Sequence, residues 1–600
     1  MTKHDSDDAN PQAAKQTGLG RRAFIGTAGA LAVGSAMTAG LKSAALKAQD
    51  ALEAPPAAGP TSQASHRANW NVVARNYQVR VARAKANAAE GLPHHPDNGD
   101  EDLYPDRIGS DTRGLPHDAH GYVDPAAYNA LLHAVELRTP EAFELVPLGG
   151  TRKLQNPLGA LAVNLSGVAT TQRRIPVAPE LASAERAADA VEAYWQALLR
   201  DVPFSELRND TNNELVLAAA SELDKLPGYT GPRDEQGRVT PAVLFRGTAR
   251  YGDPDDSTGR KIRHVTPPGV LGGPYLSQFL LRDIPYGAHY IPGQLRAPLA
   301  GTQNDFLLNY DEWLAIQDGR PVTNKLSFDP KRRYITTGRD LAEYTRAGGP
   351  TYWGALQLLS SAVSKDALVI GGLEAPTTPT NPYLKLKKTS AGTSTWGTPY
   401  IQSLLPFATS RGQRATYFQK WFVHRTIRPE AFGGLAHNQL ALGIESPLHT
   451  DFLHSEALDR SFKKYGVYLL PLGTPEGAPN HGSYPGGAAL NTDVNTTLLK
   501  AFYGEDTVIT DPVQPDPEDP SRLIPYVGPP LTIGGELNKL ATNIGLGRNW
   551  LGVHWRSDAA VSLPHAEEIA FGILRDERPT FVESFDGFKV SRYDGTIISI

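Results

Sequence analysis

The sequence predicts a mainly α-helical protein with long irregular connections and one small β-ribbon at its C-terminal end. Three observations carry that prediction. Apolar residues recur at three- and four-residue steps in several stretches, Pro/Gly-rich segments separate them, and strand-like alternation occurs only near the end. Taken in order, residues 68–88 contain few helix breakers. Residues 180–200 place Ala187, Val191, Tyr194, Trp195 and Leu198 on one face, the pattern of an amphipathic helix. Residues 215–226 and 354–370 repeat the theme, with Pro/Gly-rich connections at 227–275 and 372–400. Leu537, Leu540, Ala541 and Ile544 mark a later helix. Finally, Phe588-Lys589-Val590 and Thr596-Ile597-Ile598 flank Asp594-Gly595, a hairpin signal.

The chain has 600 residues, is 40% hydrophobic and 20% charged, and carries a net charge of -5. That balance fits a globular protein and gives no reason to expect nucleic acid as a partner. No apolar run in the body of the chain is long enough for a stable membrane anchor. There is no cysteine, which excludes disulfides and thiolate chemistry, and the two methionines are Met1 and Met37. Near-absence of sulfur suits a protein exposed to oxidants, and it equally fits compositional drift in an exported one.

Residues 1–60 read as signal and linker, 61–330 as an N-terminal helical part, and 331–600 as a C-terminal helical part. Gly20-Arg21-Arg22-Ala23-Phe24-Ile25 precedes a weakly apolar Ala/Gly-rich run and resembles a twin-arginine export signal. That implies a periplasmic or secreted protein. Residues 54–60 have linker composition. The acidic stretch 97–106 and His94, His95, His117 and His120 match no metal-ligand spacing and read as a solvated loop.

Three later segments carry chemistry. In Lys420-Trp-Phe-Val-His-Arg-Thr-Ile-Arg428-Pro429, a continuous helix would put Lys420 and Arg428 on one face, stopped by Pro429. In Pro479-Asn-His481-Gly-Ser-Tyr-Pro-Gly486-Gly487-Ala488, glycines open a helix ending near Phe502 and let backbone N–H groups approach an anion. The third runs Gly547-Arg548-Asn-Trp-Leu-Gly-Val-His554-Trp-Arg-Ser-Asp558. Each has a bland alternative: a solvated helix face, an ordinary turn, a satisfied core histidine. Together they place three cations in apolar surroundings, where unpaired burial would be prohibitive. Glu430 and Asp558 are the few carboxylates nearby, so a bound oxyanion is the expected counter-charge.

The order and spacing of these segments resemble the vanadium-dependent haloperoxidases, especially the bromoperoxidase branch, which share an anion pocket with the type 2 phosphatidic acid phosphatases. The spacing is eight residues from Lys420 to Arg428 and six from Arg548 to His554. Further similarity covers 194–204, 271–305 and Phe585-Asp586-Gly587. The resemblance implies paired four-helix bundles, a homo-oligomer, and vanadate as cofactor. It implies hydrogen peroxide, halide and an organic acceptor as substrates. Lys420, Arg428, Arg548 and the Gly486-Gly487 turn would bind vanadate. His554 would coordinate vanadium, with Asp558 fixing its tautomer. Ca2+, bound by some relatives for stability, has no legible site in this sequence.

One departure matters. The family's turn reads Pro-Ser-Gly-His, whereas this chain has Pro485-Gly486-Gly487-Ala488. The hydroxyl and the acid/base imidazole are both missing, so weak or altered activity is expected. His481 is the candidate substitute, with a structural histidine as its alternative. Gln419 stands where relatives carry residues linked to halide choice. The competing readings are a phosphatase-like or other non-halogenating enzyme, and a non-catalytic oxyanion-binding protein.

Overall fold

The computed structural model describes residues 72–286, 289–346, 352–360, 375–386 and 388–600. The export segment and linker lie outside the described residues. Two compact units divide the chain, Met1–Gln78 and Val79–Ile600. The described part of the first is the opening of helix Val72–Ala89. The second holds the candidate site and the helices that build it.

The site is positioned by seven helices: α1 (Ala184–Leu198), α2 (Gly338–Arg346), α3 (Thr398–Phe418), α4 (Pro429–Leu442), α5 (Gly487–Phe502), α6 (Ile533–Trp550) and α7 (Arg556–Glu577). Helix α5 packs on α3, α6 and α7, and these four form a bundle, with α2 laid on α6. Because α5 has neighbours all round, it is buried from Ala489 onward, Asn491 excepted, polar residues included. The close approach depends on small residues. A side chain at Gly545 of α6 would come within 2.9 Å of Ala559 Cβ on α7 and 3.4 Å of Ala489 Cβ on α5.

A second helical group forms where α1 packs against Glu214–Lys225, Thr450–Leu453 and Glu456–Tyr465. The expected apolar face of α1 is present, but the helix is not amphipathic: Arg186 through Leu198 are all buried. Its polar side closes on the start of α7. Glu192 takes Nε of Arg556 at 2.6 Å and Nη2 at 2.5 Å, while Asp189 accepts from Ser557 at 2.6 Å. A buried bidentate pair satisfies charges that periodicity alone assigns to solvent. The main core draws on residues either side of position 330, with Phe204 and Phe245 edge-on to Trp550.

The C-terminal ribbon is present, pairing Lys589–Ser591 with Ile597–Ser599 in antiparallel register around Gly595 at φ +83°. It is not the sole strand pair, as the sequence suggested. Among the described residues, four further two-stranded ribbons lie in the irregular connections, including Ala249–Gly252 with Ile262–Val265 and Leu295–Pro298 with Phe328–Arg333. These are short paired loops, with strands of three to six residues, too brief for alternation to register. The helix expected over 354–370 is described as Tyr352–Ser360, and 361–370 lie outside the described residues.

The loop read as solvated is partly buried. Asp100 opens a short helix and accepts from the Leu181 N–H, and His117 Nδ1 lies 3.2 Å from Asp318.

Candidate active site

The segment bearing Lys420 and Arg428 is not one helix. Helix α3 passes into a π-helical turn at Gln419–His424, the chain reverses at Arg425 with φ 33°, and Pro429 opens α4. Proline fits a first helical position because its missing N–H has no partner there, and it forces Arg428 into an extended conformation, φ -89° and ψ 154°. The shared helix face is therefore replaced by a break. Lys420 and Arg428 instead meet at the turn before α5. Lys420 Nζ donates to the Gly482 and Ser483 carbonyls at 2.6 and 2.7 Å. Arg428 donates to the His481 carbonyl through Nε at 3.1 Å and Nη2 at 3.0 Å. Both cations are fully buried.

His554 lies between α6 and α7, just before the latter. Its Nδ1 is 2.7 Å from Asp558 Oδ2, which also accepts the Trp555 N–H at 3.0 Å and so caps α7. Arg428 Nη1 approaches His554 Nε2 at 3.1 Å. A guanidinium can only donate, so Nε2 accepts and the ring proton sits on Nδ1, facing Asp558. His481 Nδ1 lies 3.0 Å from Arg428 Nη2, a donor, and 2.9 Å from the Gly482 carbonyl, an acceptor, so these two contacts select no single tautomer.

Around these groups is a cavity of about 210 Å³. Lys420, Arg548, His481, Gly487, Ala488 and His554 line it, along with Thr416, Tyr417, Arg346 and Asn491, but no acidic side chain does. Arg346 is matched by Glu343 and Glu476 at 2.6 and 3.0 Å. Arg548 has one long bond, to the Thr345 carbonyl at 3.3 Å, and its Nε is buried without a partner. The expected carboxylates are engaged elsewhere. Glu430 forms a buried ion pair with Arg113 and Asp558 holds His554.

Electrostatics follow from this crowding. Burial, reinforced by Arg428, lowers Lys420 well below an ordinary lysine and Arg548 to about 10. Burial and the neighbouring cations also push His481 and His554 well below the usual imidazole range, so both are neutral at working pH. A buried site short of negative charge, with the N–H groups of the first turn of α5 free of helical partners, fits a tetrahedral oxyanion. The neutral His554 Nε2 fits a metal centre within that anion.

No family model matches the chain. It is 32% identical over 554 residues to a vanadium-dependent bromoperoxidase of Ascophyllum nodosum, covering 87% of this chain and 91% of that one. The chain belongs to the vanadium-dependent bromoperoxidase family. Relatives named vanadium-dependent bromoperoxidase from Corallina pilulifera and Corallina officinalis are each 28% identical, covering 88% of this chain and 98% of theirs. A solved homohexameric second vanadate-dependent bromoperoxidase from Ascophyllum nodosum matches with a TM-score of 0.77 and 27% identity, over 91% of this chain and 94% of that one. The fold is that of this family, mainly α with the helices bundled.

The structure brings Lys420, Arg428, His481, Gly487, Arg548, His554 and Asp558 to one place. Gly486 stands just behind, its N–H on the Asp558 carbonyl at 2.9 Å and its own carbonyl taking Ser562 Oγ at 3.0 Å. Gln419 does not line the cavity; its Nε2 donates to the Arg173 carbonyl at 3.0 Å. Sequence reasoning missed Asp111, a buried carboxyl within electrostatic reach of Arg428 and Lys420 that burial pushes up to about 6. It arrives because 109–111 runs beside 425–427, with Asp111 N–H on the Arg425 carbonyl at 2.6 Å. No local signal marks it. Thr416 was missed as well, although it precedes Lys420 by about one helical turn.

Proposed function

We propose that the chain holds vanadate in this cavity and oxidises halide, bromide first, with hydrogen peroxide at a reduced rate. The observation that carries the reading is the convergence of Lys420, Arg548 and His554 on a cavity without acidic lining, with Arg428 directly behind His554. Relationship to bromoperoxidases over most of the chain supports it. Bound vanadate would supply a Lewis acid that polarises peroxide without changing oxidation state.

The remaining work falls to the chain's own groups. Arg548 offers donors to oxyanion oxygens, Lys420 adds a point charge, and Gly487 adds a backbone N–H. Arg428 adds charge from behind, with its N–H groups on the His481, Gly482 and Val553 carbonyls and on His554 Nε2. His554 presents Nε2 because Asp558 holds the proton on Nδ1. Gly486 and Ala488 have no exchangeable side-chain proton, and His481 is kept neutral. A positioned general acid/base contributes about 10²–10⁴-fold, and its loss is the reason for the reduced rate.

The test is bromide oxidation by orthovanadate-loaded protein, wild type against Gly486→Ser/Ala488→His. We expect slow turnover in the wild type and a gain of at least about 10²-fold in the double variant. The reading fails if both bind orthovanadate and neither oxidises bromide, chloride or iodide. Equal rates would show that the turn is not the deficiency.

The loss of both turn groups favours a second reading, a protein that binds phosphate or vanadate without turnover; action on phosphate esters also wants a leaving-group acid, so the same loss counts against that form. Saturable phosphate binding without halide oxidation selects it, and vanadate-inhibited release of phosphate from a model ester selects its enzymatic form. The Arg21-Arg22 segment supports export, tested by cell fractionation. A homohexameric relative supports a homo-oligomer, tested by light scattering.

A further inference from the structure

The oxyanion cradle leaves two polar groups of the cavity wall unused. Thr416 Oγ1 and Asn491 Oδ1 are buried without a protein partner, and both residues line the cavity with Ala488. Thr416 is only 2% exposed. Ala488 and Asn491 stand one turn apart on α5 and so share a face. Thr416 approaches the same turn from α3, its Cγ2 3.5 Å from where a Cβ on Gly487 would lie. A buried donor or acceptor left unmatched is disfavoured, so two on one wall mark a place built for a hydrogen-bonding occupant.

The chemistry of that occupant is constrained. Asn491 Oδ1 can only accept, so the occupant must donate a proton, while the threonine hydroxyl can donate or accept. Lys420, Arg428 and Arg548 repel a cation, and an anion would take the cradle. At about 210 Å³ the cavity holds several waters' worth of volume, each about 30 Å³. An oxyanion uses part of it, and the remainder suits a ring of about five heavy atoms.

The turn itself does not close this space. Gly486 has an ordinary φ of -71°, and a Cβ at Gly487 would meet nothing nearer than 3.5 Å. Gly487 and Ala488 thus line the space without being demanded by the backbone, and their small size keeps the volume open; Gly486 stands behind them, where a Cβ would lie 3.3 Å from the Asp558 carbonyl. We infer that the space over Ala488 is a second subsite, taking a small neutral N–H or O–H donor held by Thr416 and Asn491 beside the oxyanion. The inference rests on reading the cradle as an oxyanion site. The occupant supplies the exchangeable proton that the turn lacks.

Imidazole is the probe, titrated calorimetrically into orthovanadate-saturated protein at about pH 8, above its own pKa. We expect saturable one-to-one binding without loss of orthovanadate. Thr416→Val/Asn491→Leu should weaken imidazole at least about 10-fold, the equivalent of one hydrogen bond, with orthovanadate affinity held within a few-fold. Thr416→Ser should bind imidazole as the wild type does, and Ala488→Phe should abolish binding by filling the space. Absence of saturable imidazole binding overturns the subsite, as does binding that none of these variants alters. Failure of orthovanadate itself to bind instead sinks the proposed function. Imidazole titrated into the free protein, with the same variants, then decides the subsite separately.

Discussion

At the scale of single residues, one contact fixes what His554 can do. Asp558 Oδ2 serves two donors, the imidazole Nδ1–H and the Trp555 N–H. Replacing Asp558 with Asn keeps an acceptor for one of them but removes the charge that favours a single tautomer. Losses of this kind cost about 10–100-fold in metal affinity, so orthovanadate titration of Asp558→Asn should weaken by that factor while the helix remains capped. Lys420 gives the pH dependence. Its ammonium is held well below the ordinary lysine value by burial and by Arg428. It is charged below that lowered pKa and neutral above it, so oxyanion affinity is full at lower pH and declines as pH rises. Arg548 loses its charge only at about 10. Phosphate affinity should therefore fall in two phases, and Lys420→Met should remove the first while leaving the second. A single phase in the wild type would contradict this assignment.

At the scale of elements, the site depends on helix ends more than on helix faces. Arg428 is the extended residue before α4, Gly487 the first residue of α5, Arg548 in the last turn of α6, and His554 the residue before the cap of α7. These ends are pinned by buried charge. Arg556, two residues beyond His554, is held by Glu192 of α1 and donates to the Arg246 carbonyl at 2.9 Å. Arg556→Met would leave Glu192 buried without its partner. The expected loss is about 3–5 kcal/mol, seen as a lower midpoint in chemical or thermal unfolding and accompanied by weaker oxyanion binding. Leucine at Gly545 should act similarly by wedging α5, α6 and α7 apart, with overpacking of about 1–3 kcal/mol or more.

At the scale of the molecule, oxyanion binding and folding are linked. An anion bound to the folded chain alone stabilises it by about 2.7 kcal/mol at a hundred times its Kd. Orthovanadate and phosphate should both raise the unfolding temperature, and Arg548→Ala should abolish the rise. Sulfur usage makes a separate prediction. With no cysteine, and methionine at positions 1 and 37 alone, hydrogen peroxide should add no sulfoxide or sulfenate mass beyond residue 37 in intact or digested protein.

Much of this was written in the sequence. The helical periods of 180–200 and 537–544, the hairpin around Gly595, and the spacing of Lys420, Arg428, Arg548 and His554 are local patterns, and backbone geometry acts locally. Other features were decided by packing between distant segments. The buried polar side of α1 reads as solvent-facing until Arg556 covers it, and Asp111 joins the site only because 109–111 lies beside 425–427. The π-helical turn at Gln419–His424 broke the helix face that Lys420 and Arg428 would otherwise share, and the carbonyls of His481 and Gly482 gave them a new meeting point. Residue identity determined which charges and rings the chain has to offer. Tertiary structure decided which are paired, because a charge buried among apolar neighbours is tolerable only where the fold supplies it a partner.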